Sequence, residues 1–265
     1  MTSQSSIRVV TGVRSSATAS DRTLRIYTPP GFDDSGRTAY PVLVMLDGQN
    51  LFSRSRAGAM GCWAIDETLD AMIHGGEIDP WIVVGVDHRH EGRIGDDSPW
   101  SDPRLQGAPR GAEEATFVTE ELAAWIDASL PAATGATARA LVGSSLGGLL
   151  SLYVAWRHPA SFARVGALSP SVMWSNGELL RRWTRRAASP CRLYVDAGAD
   201  ERFDGGSFHL DYGGAARDLA AHLRKIGYGD DALRVILEPR ANHDEGAWGR
   251  RFGPAARWLL DRSIG

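Results

Sequence analysis

Residues 142–148, "VGSSLGG", place two adjacent serines between glycines, and only one of them is framed as G-x-S-x-G. Gly143 and Gly147 flank Ser145, whereas the same frame drawn around Ser144 falls on Val142 and Leu146. A serine hydroxyl is a weak nucleophile until a base takes its proton, so a serine on a tight glycine turn calls for a histidine and an acid behind it. The competing reading is a glycine-rich strand-to-helix turn of the kind that holds a phosphate. Here the pattern follows the apolar run "ARALV" and opens a stretch with helical periodicity. That strand, elbow and helix context favours Ser145 as a nucleophile, with Ser144 the variable residue before it.

In α/β proteins built on such an elbow the chain order is nucleophile, then acid, then histidine. Of seven histidines, His209, His222 and His243 lie far enough downstream. His222 falls inside an amphipathic pattern and reads as a solvated surface residue, and His209 comes too soon after the preceding strand. His243, in "PRANHDEGAW", falls between the last predicted strand and the last helix, where an imidazole reaches back over the sheet. The acid is expected after "CRLYVDAG", which offers Asp196, Asp200, Glu201 and Asp204. A common arrangement in folds with such an elbow places the acid three residues after a glycine at the strand end, which from Gly198 selects Glu201, with Asp200 as the rival. Two backbone N–H groups are expected to meet a developing oxyanion, those of Leu146 and of Gln49 in "LDGQNLF".

These residues need a scaffold, and the rest of the chain supplies its pattern. Continuous apolar runs at 41–47, 81–87, 138–144, 164–169, 191–198 and 233–239 suit parallel strands buried on both faces. Helical periodicity lies between them, at 64–76, 117–130, 145–159, 177–187 and 214–227. A last helix is expected from 245 onward, interrupted near Pro254, and "SIRVVTGV" and "TLRIYTPP" read as a preceding antiparallel hairpin. The alternation predicts a mostly parallel, doubly wound α/β sheet in a single domain spanning 1–265. The Gly-, Pro-, Asp- and Arg-rich region at roughly 89–114 is expected to be a long loop, functional or mobile.

Composition narrows the partners. A net charge of -3 gives no electrostatic case for nucleic acid or an anionic membrane. No apolar run has the length of a membrane span, no secretory signal is visible, and two cysteines do not make a disulfide framework. The expectation is a cytoplasmic protein. Neither HExxH, paired CxxC nor the G-x-x-x-x-G-K-[ST] phosphate loop occurs, so no metal and no cofactor are expected.

With these residues in place, the chain resembles the esterase family of α/β-hydrolases that includes enterochelin-type siderophore esterases, feruloyl esterases, S-formylglutathione hydrolases and mycolyl-transferring antigen 85 proteins. The stretches that carry the resemblance include "YPVLVMLDGQNLF" and "LVGSSLGGLLSLYVAWRHPASFARVGALSPSVMW", supported by "WAIDETLD", "WIVVGVDH", "YVDAGADE" and "NHDEGAW". It implies the α/β-hydrolase fold, Ser145 as nucleophile, His243 as base, and Gln49 and Leu146 as oxyanion donors. Family members use Asp or Glu as the acid. The partner implied is a small-molecule ester, with acyl transfer the alternative reaction and a non-catalytic binding module the alternative function. The short connection before 191–198 leaves no room for a large lid, so an open site is expected. Trp63, Trp100, Trp174 and Trp248 fall on loops at the catalytic edge and suit a bulky or aromatic ester. Arg89, Arg93 and two histidines in "DHRHEGR" would suit an anionic one, such as a siderophore-type lactone, unless Asp96 and Asp97 neutralise them.

Overall fold

The computed structural model describes residues 4–53, 61–89, 92–104, 107–187, 191–206 and 209–261. Its strands are β1 (Ser6–Ser15), β2 (Ser20–Thr28), β3 (Val42–Leu46), β4 (Ile82–Val86), β5 (Arg139–Ser144), β6 (Arg164–Leu168), β7 (Arg192–Gly198), β8 (Arg202–Asp204), β9 (His209–Asp211) and β10 (Leu233–Glu238). The α-helices are α1 (Ile65–His74), α2 (Arg93–Asp96), α3 (Gly111–Thr116), α4 (Leu122–Ser129), α5 (Ser145–Arg157), α6 (Glu178–Arg182), α7 (Tyr212–Lys225) and α8 (Glu245–Leu259).

Eight strands form one sheet in the order β1-β2-β4-β3-β5-β6-β7-β10. The β1–β2 and β2–β4 pairs are antiparallel and the remaining pairs are parallel. This is the α/β-hydrolase fold, a mostly parallel sheet with antiparallel strands at its N-terminal edge. β3, β4 and β6 are buried at every position, because helices cover both faces and each alternate side chain meets apolar neighbours. Along β3, Val42, Val44 and Leu46 join one core cluster with Leu122, Leu149 and Leu219, while Leu43 and Met45 join another with Leu69, Trp248 and Phe252. Alternation along a strand puts these clusters on opposite faces, with α4, α5 and α7 on one and α1 and α8 on the other.

Three expectations change, and one element is new. Pro254 does not interrupt the last helix; α8 runs through it, and the carbonyl its ring leaves without an intrahelical donor belongs to exposed Arg250. The helix expected at 117–130 starts earlier, as α3 continues through a π-turn at Phe117–Glu121 into α4. The region at 89–114 holds α2 and α3, and several of its charges sit in ion pairs, among them Arg89 with Asp96 and Glu114 with buried Arg22. The small β8–β9 hairpin between β7 and α7 had no counterpart in the sequence pattern. Among the described residues no helix is long and apolar enough to cross a membrane.

Candidate active site

β5 ends at Ser144 and α5 begins at Ser145, so the chain reverses within one peptide unit at the end of a central strand. Ser145 takes that turn with φ 55°, a left-handed conformation costly for a residue with a Cβ and kept only where surroundings enforce it. Gly143 permits the crossing, since a Cβ there would lie 2.4 Å from the Gly147 carbonyl oxygen. The Ser171 N–H holds the Ser145 carbonyl at 2.9 Å. Ser145 is thus fixed from both sides, with its hydroxyl at the C-terminal edge of the sheet.

That hydroxyl lies 3.0 Å from His243 Nε2, and His243 Nδ1 lies 2.7 Å from Glu201 Oε1. With the carboxylate on Nδ1, the ring carries its proton there and leaves Nε2 as the acceptor facing Ser145. Glu201 is 1% exposed, whereas its rival Asp200 points into solvent. The second carboxylate oxygen accepts the Gly198 N–H at 2.6 Å and the Ser169 hydroxyl at 2.8 Å. Gly198 has to be glycine, because a Cβ there would approach the Ala241 carbonyl oxygen to 2.4 Å as the His243 loop crosses the end of β7. Asp244 caps α8 by accepting the Ala247 N–H at 2.8 Å, which anchors the chain immediately after His243.

Three aromatic side chains surround the imidazole. Tyr212 stacks on it with centroids 3.9 Å apart and 27° between planes, and Trp248 meets it edge-on at 4.9 Å. Phe203, from the β8–β9 hairpin, completes the enclosure at 5.8 Å. The Tyr212 hydroxyl lies 3.1 Å from Ser171 Oγ, itself 3.4 Å from Ser145 Oγ. Burial raises the Tyr212 pKa above the usual phenol value, so it stays a neutral phenol.

Ser145, Leu146 and His243 open into a cavity of about 490 Å3. Ile94, Trp174, Phe203, Leu210, Tyr212 and Trp248 form its apolar lining. Asn50, His88, Arg93 and Glu245 form a polar end. Arg93 reaches this end already engaged, both nitrogens of its Nε/Nη2 edge lying 2.8 Å from the Asp47 carboxylate. Burial opposes charge on Asp47, but Arg93 beside it holds its pKa below the ordinary carboxylate value. Asp97 goes the other way: burial and the Asp47 charge push its pKa well above the ordinary carboxylate value. Glu245 is also raised, chiefly by burial, and Asn50 Nδ2 donates to its Oε1 at 3.2 Å. Arg89 and Arg104 are likewise docked on Asp96 and Asp102.

The structure therefore brings Ser145, His243 and Glu201 together and sets Leu146 in the first turn of α5. It places Gln49 in a short 3-10 turn at Gly48–Asn50, with its side-chain Oε1 accepting the His88 N–H at 3.2 Å. Trp174 lines the cavity, as expected from the sequence. Trp63 does not: it is 3% exposed and packs beneath Trp248 and against Phe252, with centroids 6.0 and 6.3 Å away. Trp100 is also elsewhere, packed on Tyr153 and Trp156. His90 lies outside the described residues. His222 is not freely solvated, since its Nε2 lies 2.7 Å from the Trp183 carbonyl oxygen. Tyr212, Phe203, Leu210 and Ser171 were missed, because only the β8–β9 hairpin and the turn after β6 bring them to the cleft. Among the described residues no three His, Cys, Asp or Glu side chains are grouped so as to hold a metal ion.

The chain belongs to the family described as "Putative esterase", whose model matches residues 15–259. It is therefore an esterase-family hydrolase of the α/β-hydrolase fold. YbbA of Bacillus subtilis is 22% identical over 251 residues, covering 92% of this chain and 95% of that protein. A ferulic acid esterase from Anaeromyces mucronatus superposes with TM-score 0.71 at 18% identity, covering 97% of this chain and 91% of that one. The enterochelin esterase of Shigella flexneri does so with TM-score 0.72 at 21% identity, covering 95% of this chain and 58% of that one.

Proposed function

We propose that the protein is a serine carboxylesterase acting on bulky or aromatic esters from a single α/β-hydrolase domain. Ser145 attacks the ester carbonyl while His243 Nε2 takes its proton, and Glu201 holds the ring tautomer and stabilises the imidazolium that forms. The N–H groups of Leu146 and Gln49 receive the oxyanion, the former aided by the α5 N-terminus. His243 gives its proton to the leaving alcohol, then activates the water that releases the acyl group from Ser145. The observation that carries this reading is the unbroken series from Ser145 through His243 to buried Glu201 at 3.0 and 2.7 Å, opening into an apolar cavity.

The cavity also bears on the substrate. Its apolar lining includes two indoles, a phenol and a phenyl ring, which suit a flat acyl or aryl group. Its arginine is already paired with Asp47 and faces Glu245 across the polar end, so an anionic group gains little there. This favours a neutral aromatic ester over a siderophore-type lactone, although both kinds of esterase have this fold.

The test is a panel of p-nitrophenyl acetate and butyrate, a palmitoyl ester, a feruloyl ester and a catechol-serine trilactone, each with and without an alcohol acceptor. Highest kcat/KM on the feruloyl ester, with hydrolysis independent of acceptor, is expected. A rate that requires the acceptor makes the protein an acyltransferase, and no turnover of any ester makes it a binding module.

A further inference from the structure

Behind Glu201 lies a buried hydroxyl with no remaining freedom. Ser169 follows β6 with φ 43°, again left-handed, and is 0% exposed. Its Oγ accepts from Trp248 Nε1 at 3.1 Å and from Arg251 Nη2 at 2.6 Å. Neither an indole N–H nor a guanidinium N–H can act as an acceptor, so both lone pairs of Ser169 Oγ are filled. Its single hydrogen is left for the one acceptor at hand, Glu201 Oε2 at 2.8 Å. The direction of this bond follows from the inventory of donors and acceptors.

The circuit closes on itself. Trp248 and Arg251 stand three residues apart on one face of α8, the helix that opens two residues after His243. Arg251 is anchored in turn by Asp196, whose Oδ1 accepts from Nε at 3.0 Å, and its Nη1 lies 3.6 Å from Glu201 Oε2. The helix following the base thus fixes the serine that fixes the acid.

We propose that Ser169 is a positioning residue for the acid–base pair, its hydroxyl hydrogen holding Glu201 Oε2 so that Oε1 stays on His243 Nδ1. This rests on the Ser145–His243–Glu201 reading. Without that hydroxyl, the Gly198 N–H is the one hydrogen bond left on Oε2, and the Arg251 guanidinium 3.6 Å away adds only an undirected charge. The carboxylate is then freer to swing, so the imidazolium loses its aligned partner when proton transfer needs it. The ester never touches Ser169, so the effect falls on kcat and spares KM.

The experiment is a cycle of Ser169→Ala, Glu201→Ala and the double variant on p-nitrophenyl butyrate, with rates normalised to the natively folded fraction by near-UV circular dichroism. Loss of a hydrogen bond to a charged group predicts a kcat about 10- to 100-fold lower for Ser169→Ala. KM should stay within about twofold, and Ser169→Ala should change kcat by less than about threefold once Glu201 is absent. Ser169→Gly is the companion variant, because glycine accepts the left-handed turn without strain while removing the same hydroxyl. Wild-type kcat in folded Ser169→Ala or Ser169→Gly protein, or losses that multiply with Glu201→Ala, would overturn the proposal. An unchanged rate in Glu201→Ala alone would overturn the triad reading beneath it, and that result needs no Ser169 variant.

Discussion

Ser145 is placed by its own neighbourhood: a strand end, a glycine two residues back, a helix start and one amide from the next turn. His243 and Glu201 are placed by the rest of the molecule, through Gly198 of β7, Ser169 after β6, Tyr212 of α7, and Trp248 and Arg251 of α8. The first arrangement is steric, enforced by backbone that fits only one way. The second is a polar network in which each member has several partners, so its failures should be graded. The two halves of the site should therefore respond differently to substitution.

The sharpest contrast lies between the adjacent serines. Ser145→Ala should lower kcat by about 10⁴-fold or more, while Ser144→Ala, at the last position of β5, keeps most activity. His243→Ala should match Ser145→Ala, and the double variant should be scarcely worse, because the groups act as a unit. Equal losses in the two serine variants would break the steric account of the elbow. On the network side, Glu201→Gln should cost about 10³-fold and Asp200→Ala almost nothing, since Asp200 is solvent-exposed. Steady-state kinetics on p-nitrophenyl butyrate checks both pairs.

Smaller effects fall on stability. Arg93→Met leaves Asp47, 5% exposed, without its bidentate partner, and urea unfolding should report a loss of about 3 kcal/mol. Adding Asp47→Asn should recover part of that loss, because the cost is an uncompensated buried charge. Asp196 offers the mildest test. Burial raises its pKa to about 7, with Arg251 opposing, against about 4 in an unfolded chain. The folded protein therefore holds this proton more tightly, and the resulting stability is fully present below the unfolded value and lost as pH rises toward 7. Asp97 and Glu114 are raised as well and slope the same way. Asp196→Asn should flatten the fall in urea midpoint between about pH 4 and 7, and an unchanged slope would remove Asp196 as its source.

How much of the site the sequence discloses follows the same division. The elbow was legible because its cause lies within seven contiguous residues, and the spacing from Gly198 to Glu201 because one tight turn sets it. Buried parallel strands were legible because burial on both faces leaves unbroken apolar runs. The cavity wall was not, since Phe203, Leu210 and Tyr212 depend on a hairpin whose strands span three residues each. Trp63 was misplaced because its predicted loop puts the backbone near the cleft but does not say that Trp248 lies over it. Arg93 stands at the cleft as expected, yet its pairing with Asp47 joins residues 46 positions apart. No local pattern carries that information.

In the proposed mechanism Ser145 alone carries the acyl group, activated through His243. The direct measurement is peptide mass spectrometry after reaction with a fluorophosphonate, which phosphonylates an activated serine and is retained. One adduct per chain is expected, on Ser145, preserved in Ser144→Ala and abolished in both Ser145→Ala and His243→Ala. An adduct on Ser144, Ser169 or Ser171, or undiminished labelling of the His243→Ala protein, would contradict it.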